Sequence, residues 1–253
     1  MKLFAFFVTG LFLILFTSHL TAQEMKPEAG KFFNIGNEKL KAGDFQGAIS
    51  NYDQALQHDQ DYRIYYQKGI ALKKLGKNQD ALPVLQEAIK LNPKFDGGYN
   101  ALGGSYFTLG QMEEAIKNFE KVVEVSGNVT VKNKAKEYIA RSYAKLGRDQ
   151  LSNGDAGKAI VTLLKAVEMN NFDAAYLTLA QAYYENGDYD KSITASENAL
   201  KYRSSIAKGG PYYYMGLAYK MKGNMPKAKE NFNLAKADVS YKKVAEYELG
   251  LIK

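Results

Sequence analysis

The sequence predicts an all-α chain, a stacked solenoid of about six helix pairs followed by one C-terminal capping helix. Three observations predict it. Six glycines, Gly43, Gly76, Gly110, Gly154, Gly187 and Gly223, recur at intervals of 33, 34, 44, 33 and 36 residues, and a period in the thirties is the mark of a stacked array. Small residues recur in the same register. Gly36, Gly69, Gly103, Gly147, Ala180 and Gly216 stand seven before these glycines; Ala48, Ala81, Ala115, Ala159, Ser192 and Ala228 stand five after; Ala55, Ala88, Val122, Ala166, Ala199 and Ala235 stand twelve after. The register was set on the turn glycines alone, so 17 small residues in 18 places are independent support. Third, both flanks of each glycine are apolar at helical spacing, as in Tyr99, Leu102 and Tyr106 before Gly110 and Ala115, Ile116, Phe119 and Val122 after it.

Taken in order, residues 1–22 read as a secretory signal peptide. Lys2 supplies a positive start, residues 3–16 are apolar, and Ala22 precedes a polar segment beginning at Gln23. The competing reading is an uncleaved anchor, because residues 3–20 approach the length that spans a bilayer. With cleavage no transmembrane span remains. Residues 23–28 form a flexible N-terminus, and residues 29–125 hold units one to three. Residues 126–139 are an insertion. Here the spacing lengthens to 44, and the Lys-rich stretch that follows the break at Gly127-Asn128 reads as one overlong helix, either a hinge or docking helix or a neutral addition. Units four to six fill residues 140–238. Residues 239–253 form the cap, with Val244, Tyr247 and Leu251 on one stripe, Lys242, Lys243 and Glu246 on another face, and Leu249-Gly250 echoing the start of a seventh unit.

Within each unit, glycine supplies the left-handed turn that ends the first helix. The small residues let the two backbones approach closely, and the aromatics fill the space beside them.

These residues resemble the tetratricopeptide repeat family over roughly residues 29–240. The third unit carries the pattern nearly whole, in Tyr99, Leu102-Gly103, Tyr106, Gly110, Ala115-Ile116 and Phe119. The fifth follows with Tyr176, Leu179-Ala180, Tyr183, Gly187, Tyr189, Ser192-Ile193 and Ala199, and the second closes on Leu91-Asn92-Pro93. Departures are Lys39 and Gln150 where tyrosine is usual, and Lys229 and Lys236 where apolar residues follow the alanine. The resemblance implies a right-handed superhelix whose concave groove is lined by first-helix side chains.

The register then names the groove. Its basic positions are Lys41, Arg63, Lys73, Lys74, Arg141, Arg148 and Lys220, against the single acid Glu185. Its polar and aromatic positions include Asn37, Tyr66, Asn100, Phe107, Gln181, Tyr184 and Tyr213. The whole chain has 34 Lys and Arg to 27 Asp and Glu, so the groove is far more lopsided. Such a surface suits a protein or peptide segment carrying carboxylates, with tyrosines packing on its apolar side chains. The carboxylate clamp of chaperone-binding members does not fit, since only Asn37 among the matching positions has the required type; Phe33 and Gly97 occupy others.

Catalytic chemistry finds no constellation. With no Cys there is no disulfide framework, thiolate metal site or cysteine nucleophile. His58, beside Asp59 and Asp61, is the single histidine after residue 22 and reads as an isolated exposed side chain. Pairs such as Glu113-Glu114 belong on solvated helix faces. There is no phosphate-binding loop or dinucleotide fingerprint, and Asn128-Val129-Thr130 is a sequon of meaning only in a eukaryotic secretory route. No cofactor and no metal are expected. The reading is an exported, periplasmic or envelope-associated protein-interaction scaffold whose partner is an envelope or secretion-complex component. The alternative is a binder of an anionic envelope polymer, glycan or nucleic acid, with nucleic acid disfavoured by export.

Overall fold

A computed structural model describes residues 24–252; the signal-peptide expectation for residues 1–22 lies outside the described residues. The described residues form thirteen helices and no strand. Twelve make six antiparallel pairs: α1 (Pro27–Lys41) with α2 (Phe45–His58), α3 (Tyr62–Lys74) with α4 (Asn78–Leu91), and α5 (Asp96–Thr108) with α6 (Met112–Val125). The pairs continue with α7 (Val129–Ser152) and α8 (Ala156–Met169), α9 (Asp173–Glu185) and α10 (Tyr189–Lys201), then α11 (Gly209–Met221) and α12 (Met225–Lys236). The last helix, α13 (Lys242–Leu251), stands alone.

Each pair is joined by the turn that the glycine register predicts. All six turn glycines adopt φ between 75° and 84°, and no other described residue has positive φ. At Gly110 the amide donates to the Phe107 carbonyl at 3.2 Å and the next amide, Gln111, reaches back to Tyr106 at 2.9 Å. That pair of bonds satisfies the carbonyls left open at the helix end. Several second helices then start on a side-chain cap one residue after the glycine: Asp44 accepts from the Gly47 amide, Asp155 from Lys158 and Asn224 from Lys227.

The small positions let the paired helices touch. A Cβ placed on Gly103 would stand 2.9 Å from the Phe119 ring, and one on Gly36 only 2.6 Å from Tyr52. Leu85, Leu163 and Phe232 press on Gly69, Gly147 and Gly216 in the same way. The fifth unit solves the fit from the other side: its small position is Ala180, and the residue facing it by register is Ser196 rather than a large one. There Ser192 donates its hydroxyl to the Ala180 carbonyl at 2.7 Å, fully buried.

From pair to pair, the first helices approach one another, α1 to α3, α3 to α5, α7 to α9 and α9 to α11, to an extent no pair of second helices does. The first helices are therefore the inner layer of the solenoid. At α7 the layering changes. This 24-residue helix packs along α6 more extensively than any other second helix packs on the first helix after it. Its N-terminal half seals the third unit, with Val131, Ala135, Tyr138 and Ile139 against Phe119 and Val122, the Tyr138 ring stacked on Phe119 at 5.0 Å. Its C-terminal half behaves as an ordinary first helix, with Gly147 under Leu163. Asn128, the sequon residue, caps α7 by accepting from the Thr130 and Val131 amides.

The cap helix docks differently from the simplest reading of its stripes. Ala245 and Ile252 are buried, whereas Val244, Tyr247 and Leu251 are exposed by 42%, 67% and 52%. The reason is register. Relative to Gly250, Ala245 and Ile252 occupy the places that Ile64 and Ala71 occupy relative to Gly69, and both of those are fully buried.

Candidate inner-surface binding site

Every groove position named from the sequence lies on a first helix, hence on the inner layer. The layer is not uniform. Near its N-terminal end, Asn37 is engaged inside its own unit, accepting from the Tyr52 hydroxyl at 2.8 Å, and Lys41 is exposed. Tyr66 packs edge-on against Phe95 at 4.9 Å, and Phe107 meets Tyr138 at 6.0 Å.

Lys73 occupies the seam between α3 and α5. Its Nζ donates to the Ala101 carbonyl at 2.7 Å, beside Gly104, where a Cβ would stand 2.9 Å from that nitrogen. Burial pushes this lysine down to about 8. The neighbouring Asn100 and Lys74 are exposed.

Three of the seven predicted cations are neutralised within the chain, which alters the charge count read from the sequence. Arg63 forks onto Asp61 at 2.5 Å, Arg141 pairs with Glu137 at 2.6 Å, and Lys220 pairs with Glu248 at 2.6 Å. Register counting took in only first-helix groove positions, whereas Asp61 is a helix cap, Glu137 lies in the extension of α7, and Glu248 arrives on α13. Lys41, Lys73, Lys74 and Arg148 have no carboxylate partner among the described residues. The lone acid is engaged too, Gln181 donating to Glu185 at 2.8 Å.

The structure gathers Tyr184, Tyr213 and Lys220 at the C-terminal third. Tyr213 lies 5.6 Å from Tyr214, 5.7 Å from Tyr241 and 6.0 Å from Phe232, and Tyr184 lies 6.4 Å from Tyr214. Burial, and next the Glu248 carboxylate, push the Tyr184 and Tyr213 hydroxyls up. The groove register does not include Tyr214, Tyr241 and Glu248, because Tyr214 follows the groove position Tyr213 on α11, Tyr241 precedes α13 and Glu248 lies on α13, to which the sequence reading assigned only a capping role.

A recess of about 200 Å³ is lined by Glu137, Arg141, Asn170, Phe172, Ser204 and Ser205 among others, with the Arg141 guanidinium 5.9 Å from the Phe172 ring centre. Behind it Asp173 organises the loop before α11, accepting from the Ser204, Ser205 and Ile206 amides at 2.6–3.0 Å and from the Ser205 hydroxyl. Burial opposes its charge, but these donors together hold its carboxyl well below the usual carboxylate range. His58 is exposed and stacks on Phe32 at 5.6 Å. Among the described residues, no group of three or more His, Asp or Glu side chains could hold a metal ion.

Tetratricopeptide repeat models match residues 62–95 and 97–128 and the overlapping spans 144–211 and 177–235, together more than half of the chain. The chain belongs to the tetratricopeptide repeat family. Small glutamine-rich tetratricopeptide repeat-containing protein 2 of Mycosarcoma maydis is 28% identical to it over 139 residues, 54% of this chain and 37% of that protein. The chain thus spans little more than a third of that relative's length. Among solved structures, MamA superposes with a TM-score of 0.52 at 23% identity over 71% of this chain and 97% of that one. YrrB, described as a TPR protein with an unusual peptide-binding site, gives 0.52 at 18% identity over 78% of this chain and 96% of its own. These likenesses establish the repeat fold. In tetratricopeptide repeat terms, α13 is the first helix of a seventh unit, and no helix among the described residues is long and apolar enough to cross a membrane.

Proposed function

We propose that this tetratricopeptide repeat protein is an exported, non-catalytic scaffold of a bacterial cell envelope that holds a segment of a partner protein against its inner helices. One observation carries the reading. Lys41, Lys74 and Arg148 lie exposed on the inner layer without a carboxylate partner among the described residues. Cations left open on an inward-curving surface favour acidic ligands, speeding encounter and selecting among partners more than adding affinity. The peptide-binding site attributed to YrrB supports binding of segments as a use to which this fold lends itself. The N-terminal pattern of residues 1–22 supports export, and the partner is then a component of the envelope or of a secretion complex.

Affinity purification from native membranes, with identification of the bound protein by mass spectrometry, tests the reading. Capture of one defined partner, lost in a Lys41→Glu/Lys74→Glu/Arg148→Glu variant with an unchanged helical circular dichroism spectrum, is the expected outcome. Undiminished capture by that variant overturns binding at this surface. A mature chain beginning at Gln23 in the periplasmic fraction is expected, and a cytoplasmic chain retaining residues 1–22 contradicts export.

A further inference from the structure

The exposed stripe of α13 continues the inner surface. Val244 and Tyr247 stand six and three residues before Gly250, and Leu251 one after. Relative to Gly69, those same places hold Arg63, Tyr66 and Ile70; relative to Gly216 they hold Gly210, Tyr213 and Leu217. The docking face of α13 is already used, with Ala245 and Ile252 buried. The stripe is therefore free, apolar and directed as the groove positions of the other first helices are.

Along the inner layer the chemistry changes from one end to the other. Exposed cations without a carboxylate partner occur on α1 (Lys41), α3 (Lys74) and α7 (Arg148). From α9 onward the corresponding places hold Leu177, Gln181, Tyr184 and Glu185 on α9, where Gln181 donates to the Glu185 carboxylate, then Tyr213 and the buried Leu217 on α11, and Val244, Tyr247 and Leu251 on α13. The one cation there that register counting named, Lys220, is neutralised by Glu248 at the junction between α11 and α13. Val244, Tyr247 and Leu251 are exposed by 42%, 67% and 52% on one face of α13, and contiguous exposed apolar surface rimmed by polar residues is characteristic of interaction sites.

We infer that the α11–α13 end of the inner surface is an apolar docking strip, centred on Tyr213, Val244, Tyr247 and Leu251, for a partner segment that is acidic along one half and carries apolar side chains along the other. This rests on the inner surface being the binding surface. Charge complementarity selects the occupant. The acidic half meets Lys74 and Arg148, and the apolar half meets the strip beyond the Lys220–Glu248 pair. A second copy stacked end to end is disfavoured, because Lys242, Lys243 and Glu246 on α13 are exposed and polar. Aromatic and aliphatic anchors of this kind concentrate binding energy in a few side chains.

Selection from a random twelve-residue peptide library displayed on phage, against the mature chain, tests the inference. Wild-type protein is expected to enrich peptides that combine an acidic cluster with two or more apolar residues. A Val244→Ser/Tyr247→Ser/Leu251→Ser variant should keep the acidic enrichment, lose the apolar one, and bind the best wild-type peptide at least tenfold more weakly. The substituted side chains are exposed, so the variant should keep the wild-type circular dichroism spectrum and melting temperature. Acidic enrichment without apolar enrichment on the wild type overturns the strip and leaves inner-surface binding standing. No enrichment of either kind overturns both. A dimer in analytical ultracentrifugation that becomes monomeric in the triple-serine variant also overturns it, assigning the strip to self-association.

Discussion

Lys220 on α11 and Glu248 on α13 form a 2.6 Å ion pair that ties the unpaired last helix to the sixth unit. The pair is mostly sheltered, with the Glu248 side chain 13% exposed, so removing one member leaves the other charge poorly solvated. Glu248→Ala is expected to lower amide exchange protection across α13 selectively, because repeat arrays lose structure locally from their ends. A Lys220→Met/Glu248→Leu variant should recover most of that protection. Uniform loss of protection across all units after Glu248→Ala contradicts this role.

The two classes of glycine predict two kinds of damage. Gly103→Ala forces a Cβ against the Phe119 ring and should cost about 1–3 kcal/mol by overpacking. Shrinking the neighbour in Gly103→Ala/Phe119→Leu should couple favourably with it. Gly110→Ala instead places a side chain at φ +80°, a cost of about 1–2 kcal/mol, which the same Phe119→Leu change does not relieve. A double-mutant cycle by urea unfolding separates the two.

Asp173 gives a pH dependence of defined sign. Its folded pKa lies below the unfolded value, so its contribution is fully present above the ordinary carboxylate range and is lost as pH falls through the folded value. Asp173→Asn should destabilise by about 1–3 kcal/mol near neutral pH, and the difference from wild type should shrink steadily as pH falls from 4 towards 2. A difference that stays constant over that window contradicts the hold of Asp173 on residues 204–206.

Lys73 has the opposite sense. Burial lowers its folded pKa to about 8, so its charge disfavours the fold most below 8, and stability should rise as pH climbs from 8 towards the unfolded lysine value. Lys73→Met should remove that rise, measured as the melting temperature at pH 7, 8.5 and 10. A wild-type and variant rising in parallel would place the lysine in solvent.

Much of the fold was legible because its determinants are local and repeated. A glycine at each turn and a small residue under each large one can be counted along a single chain, and Gly43 or Gly103 needs no knowledge of distant units. The site was legible only as positions. Lys73 and Tyr213 could be placed on the inner layer by register, but the partners that decide their chemistry come from elsewhere: the Ala101 carbonyl on α5 for Lys73, Tyr241 and Phe232 for Tyr213. The same holds for Glu248 and for Asp173, which reaches residues more than thirty positions away. The direction of the Val244–Tyr247–Leu251 stripe was within reach, since Gly250 sets its register; treating the last helix only as a cap concealed it.

Site-specific photo-crosslinking in native membranes tests whether the partner lies along the inner helices. A crosslinker at Lys74, Arg148 or Tyr247, all exposed on first helices, should trap one and the same partner protein, while one at Glu113 or Lys229, exposed on second helices, should not. Crosslinks of equal yield from the second-helix positions, or from them alone, would contradict binding along the inner surface.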